Sequence, residues 1–379
     1  MMTAMSTPPA ERASEAPLVL LVSSNGAGMG HLTRLLAYAR HLGPGPSPVH
    51  DVRPTGARPY VLSLSQAAPV VAALGVPFEY LPSSGSTGMR ASSWRRMFRD
   101  RLSETVGRLQ PAVVVFDGTH PYAGMDRVRA ETPATQWVWS RRAMWKPGRN
   151  VDQLAKSAWF DVVLEPGDLA EGGDRGATVG APATRVGPVT FVDRQDLVDR
   201  DRARAELGLP SNGPLALVSL GAGNINDTSG ELGAVVAALG RLGIGVCVTH
   251  AEIADRAPEI ADVHLVRRFP LATHYRAFDL AVSAAGYNSF HELLRLGVPS
   301  VFVPNPRTSL DDQTGRARYA HEQGWARCLV DVSPETAARE LAVVIAERGT
   351  MSERASRVDP GNGAVDAGAL LRRLAEVRR

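Results

Sequence analysis

The run Ser23-Ser24-Asn25-Gly26-Ala27-Gly28-Met29-Gly30-His31 places a histidine at the end of a glycine loop. Apolar Leu18-Val19-Leu20-Leu21-Val22 precedes the loop, and Leu32-Thr33-Arg34-Leu35-Leu36 opens a helix after it. Glycines such as Gly28 and Gly30 let a ligand approach the backbone where a helix N-terminus presents unpaired amides. An imidazole titrates near ~6.5 and accepts a proton at neutral pH, which makes His31 the candidate general base. The plainer reading is a tight strand-to-helix turn in which His31 packs or binds phosphate. The glycines are spaced G-x-G-x-G rather than G-x-G-x-x-G, and Tyr60-Val61-Leu62-Ser63-Leu64 ends without an acidic residue for a ribose. A nicotinamide site is therefore not expected.

A second stretch carries more information. In Leu280-Ala281-Val282-Ser283-Ala284-Ala285-Gly286-Tyr287-Asn288-Ser289-Phe290-His291-Glu292, a buried strand ends at a flexible small-residue turn, and a helix is expected to start near Asn288 or Ser289. The amides and positive dipole end of that helix would stabilise a diphosphate. Glu292 lies three positions after Ser289, on the same helical face, where a carboxylate can accept both hydroxyls of a ribose. The same spacing also fits a capping box, with Ser289 as N-cap.

The elements that would hold these residues follow from length and patterning. A chain of 379 residues with 44% hydrophobic content can bury two cores, since domains commonly run about 100–200 residues. Short apolar runs alternate with amphipathic stretches, the pattern of βα units around parallel sheets. Strands are expected at Leu18–Ser23, Tyr60–Leu64, Ala112–Asp117, Thr135–Trp139 and Val162–Leu164. A second series is expected at Leu215–Leu220, Ile244–Thr249, Asp262–Val266, Leu280–Ser283, Ser300–Val303 and Arg327–Val330. The expected division is a disordered tail over 1–16, a first Rossmann-like domain over 17–192, a linker over 193–213, a second such domain over 214–358 and a C-terminal helical segment over 359–379. The expected architecture is α/β, two Rossmann-like domains facing a cleft.

Composition excludes several classes. The formal charge of +3 is too small to argue for nucleic acid. Cys247 and Cys328 stand far apart, so neither a zinc site nor a disulfide framework is indicated, and a reduced cytoplasmic setting is expected. The first 16 residues lack the apolar core of a signal peptide, and no stretch approaches the roughly 18 apolar residues of a membrane span. Any membrane contact is expected to be peripheral.

The region from about Val266 to Ala326 resembles the donor-binding half of the UDP-sugar glycosyltransferases of GT-B fold, especially the N-acetylglucosaminyltransferases that make lipid II from lipid I. Gly286, Ser289, Glu292, Gly297, Pro299, Val303, Pro304 and Asp312-Gln313 match the family pattern in order. The resemblance implies that Gly286 and Ser289 meet the phosphates, that Glu292 holds the ribose, that Asp312 and Gln313 meet the donor-sugar hydroxyls, and that Asn288 belongs to the donor-binding set. It makes Arg267-Arg268-Phe269-Pro270 the base-recognition edge, and Ser219-Leu220-Gly221-Ala222-Gly223-Asn224 the loop that closes over the phosphates through Gly221 and Gly223. It likens Gly26 to His31 to the first-domain glycine loop, and it implies that Asp117, ending Val113-Val114-Val115-Phe116, orients His31. A strand-end turn acceptor is the plainer reading of Asp117, and His120 is a weaker substitute for either residue. The sequence departs from the pattern at Arg316, where an Asn is usual, and by about one residue before Gln313, which leaves Asp311 and Asp312 both open as the sugar-facing acid.

The function so implied is an inverting transfer of a hexose or N-acetylhexosamine from a UDP-sugar, or another NDP-sugar, to an acceptor hydroxyl. A non-catalytic sugar-nucleotide-binding subunit and a UDP-sugar 2-epimerase of the same fold are the alternatives. No cofactor or metal is expected. Asp199-Arg200-Asp201 matches D-x-D, but it sits just before a helix, where Asp is a common N-cap. Arg90 to Arg99 and Trp137 to Lys146 are basic and aromatic. Either could face an anionic acceptor or the inner face of a membrane, although for the first a solvated helix with Trp94, Met97 and Phe98 in the core is the simpler account.

Overall fold

The computed structural model describes residues 16–24, 29–221, 227–250 and 260–377. All but the last residue of the expected tail lies outside these, as do Gly28 and Gly223.

Runs rich in Val, Leu and Ala form parallel strands because both sheet faces are covered by helices. In the first half these are Leu18–Ser23 (β1), Arg58–Ser63 (β2), Phe78–Tyr80 (β3), Val113–Asp117 (β4), Gln136–Ser140 (β5), Val162–Pro166 (β6) and Thr184–Val186 (β7). Among the described residues they make one seven-stranded sheet in the order β3-β2-β1-β4-β5-β6-β7. The second half holds Leu215–Ser219 (β8), Gly245–Thr249 (β9), His264–Val266 (β10), Leu280–Ser283 (β11), Ser300–Phe302 (β12) and Arg327–Cys328 (β13), in the order β10-β9-β8-β11-β12-β13. The edge strands β3 and β7 escape the sequence reading because each has three residues and mixed exposure, with no continuous apolar run.

Register decides what meets at the carboxyl ends of the strands. In the first sheet Ser23 pairs with Asp117, and Asp117 with Ser140. In the second, Ser283 pairs with Ser219 on one side and Phe302 on the other. Open parallel sheets bind ligands beyond these ends, where helix N-termini also gather.

The helices of the first half are Gly30–Arg40 (α1), Ala68–Ala73 (α2), Ser84–Thr87 (α3), Ala91–Leu109 (α4) and Met125–Glu131 (α5). The others are Arg200–Glu206 (α6), Ser229–Arg241 (α7), Tyr287–Arg295 (α8), Gln313–Glu322 (α9), Pro334–Arg357 (α10) and Gly363–Glu376 (α11). The last of these returns to the first half, where Ala364, Ala367 and Leu371 are buried in the core shared with Leu35 and Leu36. Close backbone approach makes its glycines necessary: a Cβ on Gly368 would stand 2.3 Å from the His41 carbonyl oxygen.

Two expectations for the basic-aromatic stretches resolve differently. On α4, Trp94 and Phe98 are buried and stack at 5.5 Å, while Arg90, Arg95 and Arg96 stay exposed. The stretch from Trp137 to Lys146 is no open anion-binding surface. Trp137, Trp139 and Trp145 are core residues, Arg141 pairs with Glu165 at 3.0 Å, and Arg142 and Lys146 reach across to the second half.

Candidate active site between the two halves

The end of β4 is fully buried, so the Asp117 carboxylate must find its partners inside the protein. Among the described residues it finds four donor contacts. His31 Nδ1 lies 2.6 Å from Oδ1, Arg34 Nη2 donates to Oδ1 at 2.6 Å, Arg34 Nε donates to Oδ2 at 3.1 Å, and the Ser140 hydroxyl donates to Oδ2 at 2.7 Å. The Tyr38 hydroxyl stands 2.9 Å behind Ser140. Burial alone would lift the Asp117 carboxyl, but the Arg34 guanidinium and the His31 contact override it and hold the group well below the usual carboxylate range. Asp117 is therefore an anion. An anion 2.6 Å from Nδ1 requires the proton on that nitrogen, which leaves the lone pair on Nε2. Burial keeps the His31 pKa below its ordinary value, with Arg34 and Arg142 adding to the effect and Asp117 opposing it.

The opposing wall comes from the second half. After β11 the chain turns through Ala284 and Ala285 to Gly286, the N-cap of α8. The helix starts at Tyr287, earlier than expected, so Ser289 and Glu292 are its third and sixth residues and form no capping box. Among the described residues no side chain caps this end, which leaves the amides of the first turn for an anion. Asn288 Nδ2 donates to the Gly30 carbonyl at 3.3 Å, and Asn288 Oδ1 is buried with no hydrogen-bond partner among the described residues. The heads of α1 and α8 thus meet. The Arg34 guanidinium also lies over the Tyr287 ring, 5.1 Å from its centre, while the Tyr287 hydroxyl donates to Gly167 O at 2.8 Å and accepts from Val189 N at 2.9 Å.

Glu292 faces Phe191, near the end of the first half. Burial lifts its carboxyl to about 7, with a hydrogen bond from the Phe191 backbone and the Arg295 charge opposing. Phe191 stacks on Phe269 at 5.5 Å, which brings the expected base-recognition edge next to Glu292. Arg268 pairs instead with Glu206 at 3.4 Å. Gly221 takes φ +109 after β8, a conformation natural to glycine.

Neither candidate acid before α9 is free. Asp312 N-caps that helix, accepting from Gly315 N at 2.9 Å. Asp311 is held between Arg142 and Arg316, the latter at 3.0 Å. Arg316 is completely buried and donates to Asp168 at 2.9 Å and to the Ala285 carbonyl at 2.9 Å. It thus supports the turn that leads to Gly286. Gln313 stands beside the same turn, with Nε2 3.8 Å from where a Gly286 Cβ would be, and its Oε1 accepts from Asn305 N at 3.0 Å. Asp199 and Arg200 of the D-x-D match are engaged away from this cleft, with Arg276 and Asp279.

Sequence reasoning did not single out Arg34, Ser140, Arg142 or Tyr287. A faint signal exists for Arg34, a cation three residues after His31 in a helix whose other residues from Leu32 to Ala39 are almost all apolar and buried.

The class is defined by fold and sequence together. Two facing α/β halves with parallel sheets are the GT-B architecture, and residues 261–362 match the glycosyltransferase family 28 C-terminal domain. In overall structure the chain is similar to MurG of Acinetobacter baumannii, with TM-score 0.59 and 17% identity over 94% of this chain and 99% of that one. It is also similar to the glycotransferase of kitacinnamycin, with TM-score 0.64 and 18% identity over 95% and 99% of the two chains.

The sequence is similar to UDP-N-acetylglucosamine--N-acetylmuramyl-(pentapeptide) pyrophosphoryl-undecaprenol N-acetylglucosamine transferases. That of Acetivibrio thermocellus is 30% identical over 171 residues, 42% of this chain and 46% of that protein. That of Salinibacter ruber is 34% identical over 176 residues, 43% of this chain and 47% of that protein. The chain spans about half the length of the curated relatives it matches.

Proposed function

We propose that this protein is an inverting glycosyltransferase that moves a hexose or N-acetylhexosamine from a UDP-sugar to an acceptor hydroxyl. The observation that carries the reading is the Asn288 to Gly30 hydrogen bond, which sets the His31–Asp117 pair beside a helix N-terminus with no side-chain cap among the described residues. A base and an anion site at one place are what the reaction requires.

In this reading the donor diphosphate lies at Gly286, Asn288 and Ser289, with Gly30 and Gly221 in the loops beside it. Glu292 receives the ribose, the backbone at Arg268 and Phe269 receives the base, and Asp312 and Gln313 flank the sugar. The acceptor oxygen attacks the anomeric carbon as the carbon–oxygen bond to the diphosphate breaks, with its electron pair leaving on phosphate. His31 Nε2 takes the hydroxyl proton, and Asp117 stabilises the imidazolium that forms. Amides at the head of α8 offset the charge on the leaving group, so no metal is required.

The first half, 17–192, receives the acceptor and the second, 214–358, the donor. The curated relatives act, by their names, on a pyrophosphoryl-undecaprenol acceptor. On that ground we place the protein in the cytoplasm with peripheral contact at the inner membrane face, through exposed Arg90, which precedes α4, and Arg95 and Arg96 within it. No helix among the described residues is long and apolar enough to cross a membrane.

The test measures UDP release from UDP-sugars with and without candidate acceptors, in EDTA. Acceptor-dependent release with a glycosylated product is expected. UDP-sugar binding without release would favour a binding subunit, and an acceptor-independent change at the sugar C2 would favour an epimerase.

A further inference from the structure

A histidine beside a fully buried carboxylate poses a problem for a base. The paired anion favours imidazolium, so a simple His–Asp pair tends to hold its proton before the substrate arrives. Here the Asp117 charge is already met. Arg34 forks onto both carboxylate oxygens, at 2.6 and 3.1 Å, and its Nη2 stands 3.0 Å from His31 Nδ1. Because Nδ1 carries the proton shared with Asp117, Arg34 acts on it as a neighbouring cation and not as a donor.

The charged groups that act on His31 come from three places: Asp117 ends β4, Arg34 lies on α1 and Arg142 follows β5. Arg34 in turn faces Tyr38 of α1 and Tyr287 at the head of α8. Arg142 itself is tied to Asp311 of the second half. Tyr287 is where Arg34 touches the proposed phosphate-binding helix.

We propose that Arg34 is a positioning residue for the transfer reaction: it satisfies Asp117 so that His31 stays neutral with Nε2 free, and it docks this base onto Tyr287 at the head of α8. The inference rests on the glycosyltransferase reading for its catalytic part. Its electrostatic part stands without it. An arginine suits the place because its planar fork occupies both carboxylate oxygens and its face can lie on an aromatic ring.

The test combines an NMR titration of His31 with a pH–rate profile. The His31 resonance in the full-length chain is assigned by its loss in His31→Asn. In Arg34→Gln the His31 titration is expected to move to higher pH, because Asp117 then acts on the imidazole unopposed. The acid limb of kcat should move the same way, with kcat lowered between about 10-fold and 100-fold at pH 7 and partly recovered at higher pH. A His31 titration that stays where it is in the wild type, with activity lost equally at every pH, would overturn the proposal.

Arg34→Gln leaves Asp117 short of a partner. If that variant does not fold, Arg34→Lys decides. It keeps the charge and loses the fork, so an unmoved titration with kcat reduced at all pH supports the assignment, and wild-type kcat overturns it. The titration needs neither donor nor acceptor, so a protein without transfer activity would still report whether Arg34 sets the state of His31.

Discussion

Asn288, the second residue of α8, donates through Nδ2 to the carbonyl oxygen of Gly30, the first residue of α1, at 3.3 Å. Two helix N-termini from opposite halves are thereby brought together, and the side chains they carry can act on one substrate.

The histidine at that junction is the first residue to test. A positioned general base contributes about 10²–10⁴-fold in rate. His31→Ala should lower kcat by a factor in that range and leave UDP affinity by calorimetry nearly unchanged, since His31 bonds to Asp117 and not to α8. Loss of UDP binding in proportion to activity would make His31 a phosphate ligand.

Glu292 should make both UDP binding and stability depend on pH. Its carboxyl is lifted from 4.5 to about 7 in the folded chain, so between those values the folded state binds more protons than the unfolded one. This group's contribution to stability therefore falls as pH rises through that window. Glu292→Gln should raise Tm relative to the wild type more at pH 8 than at pH 5. The ionised form is the better acceptor for ribose hydroxyls, so wild-type UDP affinity should rise from pH 6 to 8, and Glu292→Ala should weaken UDP by about 1.5–3 kcal/mol. A pH-independent difference in Tm would refute the assignment.

Arg316 joins Asp168 of the first half to Asp311 and the Ala285 carbonyl of the second. Removing one partner of a buried ion network commonly costs about 3–5 kcal/mol, because the remaining charges stay buried. Arg316→Met should destabilise by about that much in urea unfolding, and Arg316→Met with Asp168→Asn should recover part of it. Additive losses would mean the two residues do not act as a pair.

Gly368→Ala tests the docking of the C-terminal helix. The new Cβ would meet the His41 carbonyl oxygen at 2.3 Å, inside any tolerable contact, so α11 must shift from α1. A loss of about 1–3 kcal/mol is expected in thermal or urea unfolding. Gly233→Ala on α7 has nothing near its Cβ and serves as the control.

The alternation of apolar runs and breakers in the sequence determined most of the strands, the two-halved α/β plan and the position of the turns that lead into α1 and α8. This is because strand burial and helix starts leave their mark within about ten residues. The glycines before His31 and the Gly286 to Glu292 spacing were legible for the same reason.

What only the tertiary structure decided is how charges at those turns are paired. Arg34 meets Asp117 across 83 residues, Arg316 meets Asp168 across 148, and Arg142 meets Asp311 across 169. No local pattern records such distances. The one-turn spacing of Ser289 and Glu292 fitted a capping box equally well until the helix was seen to begin at Tyr287. The basic-aromatic stretch from Trp137 to Lys146 read as a surface, yet register and closure of the two halves turned it inward. Long-range pairing is set by which strand ends lie side by side, and only folding brings those ends together.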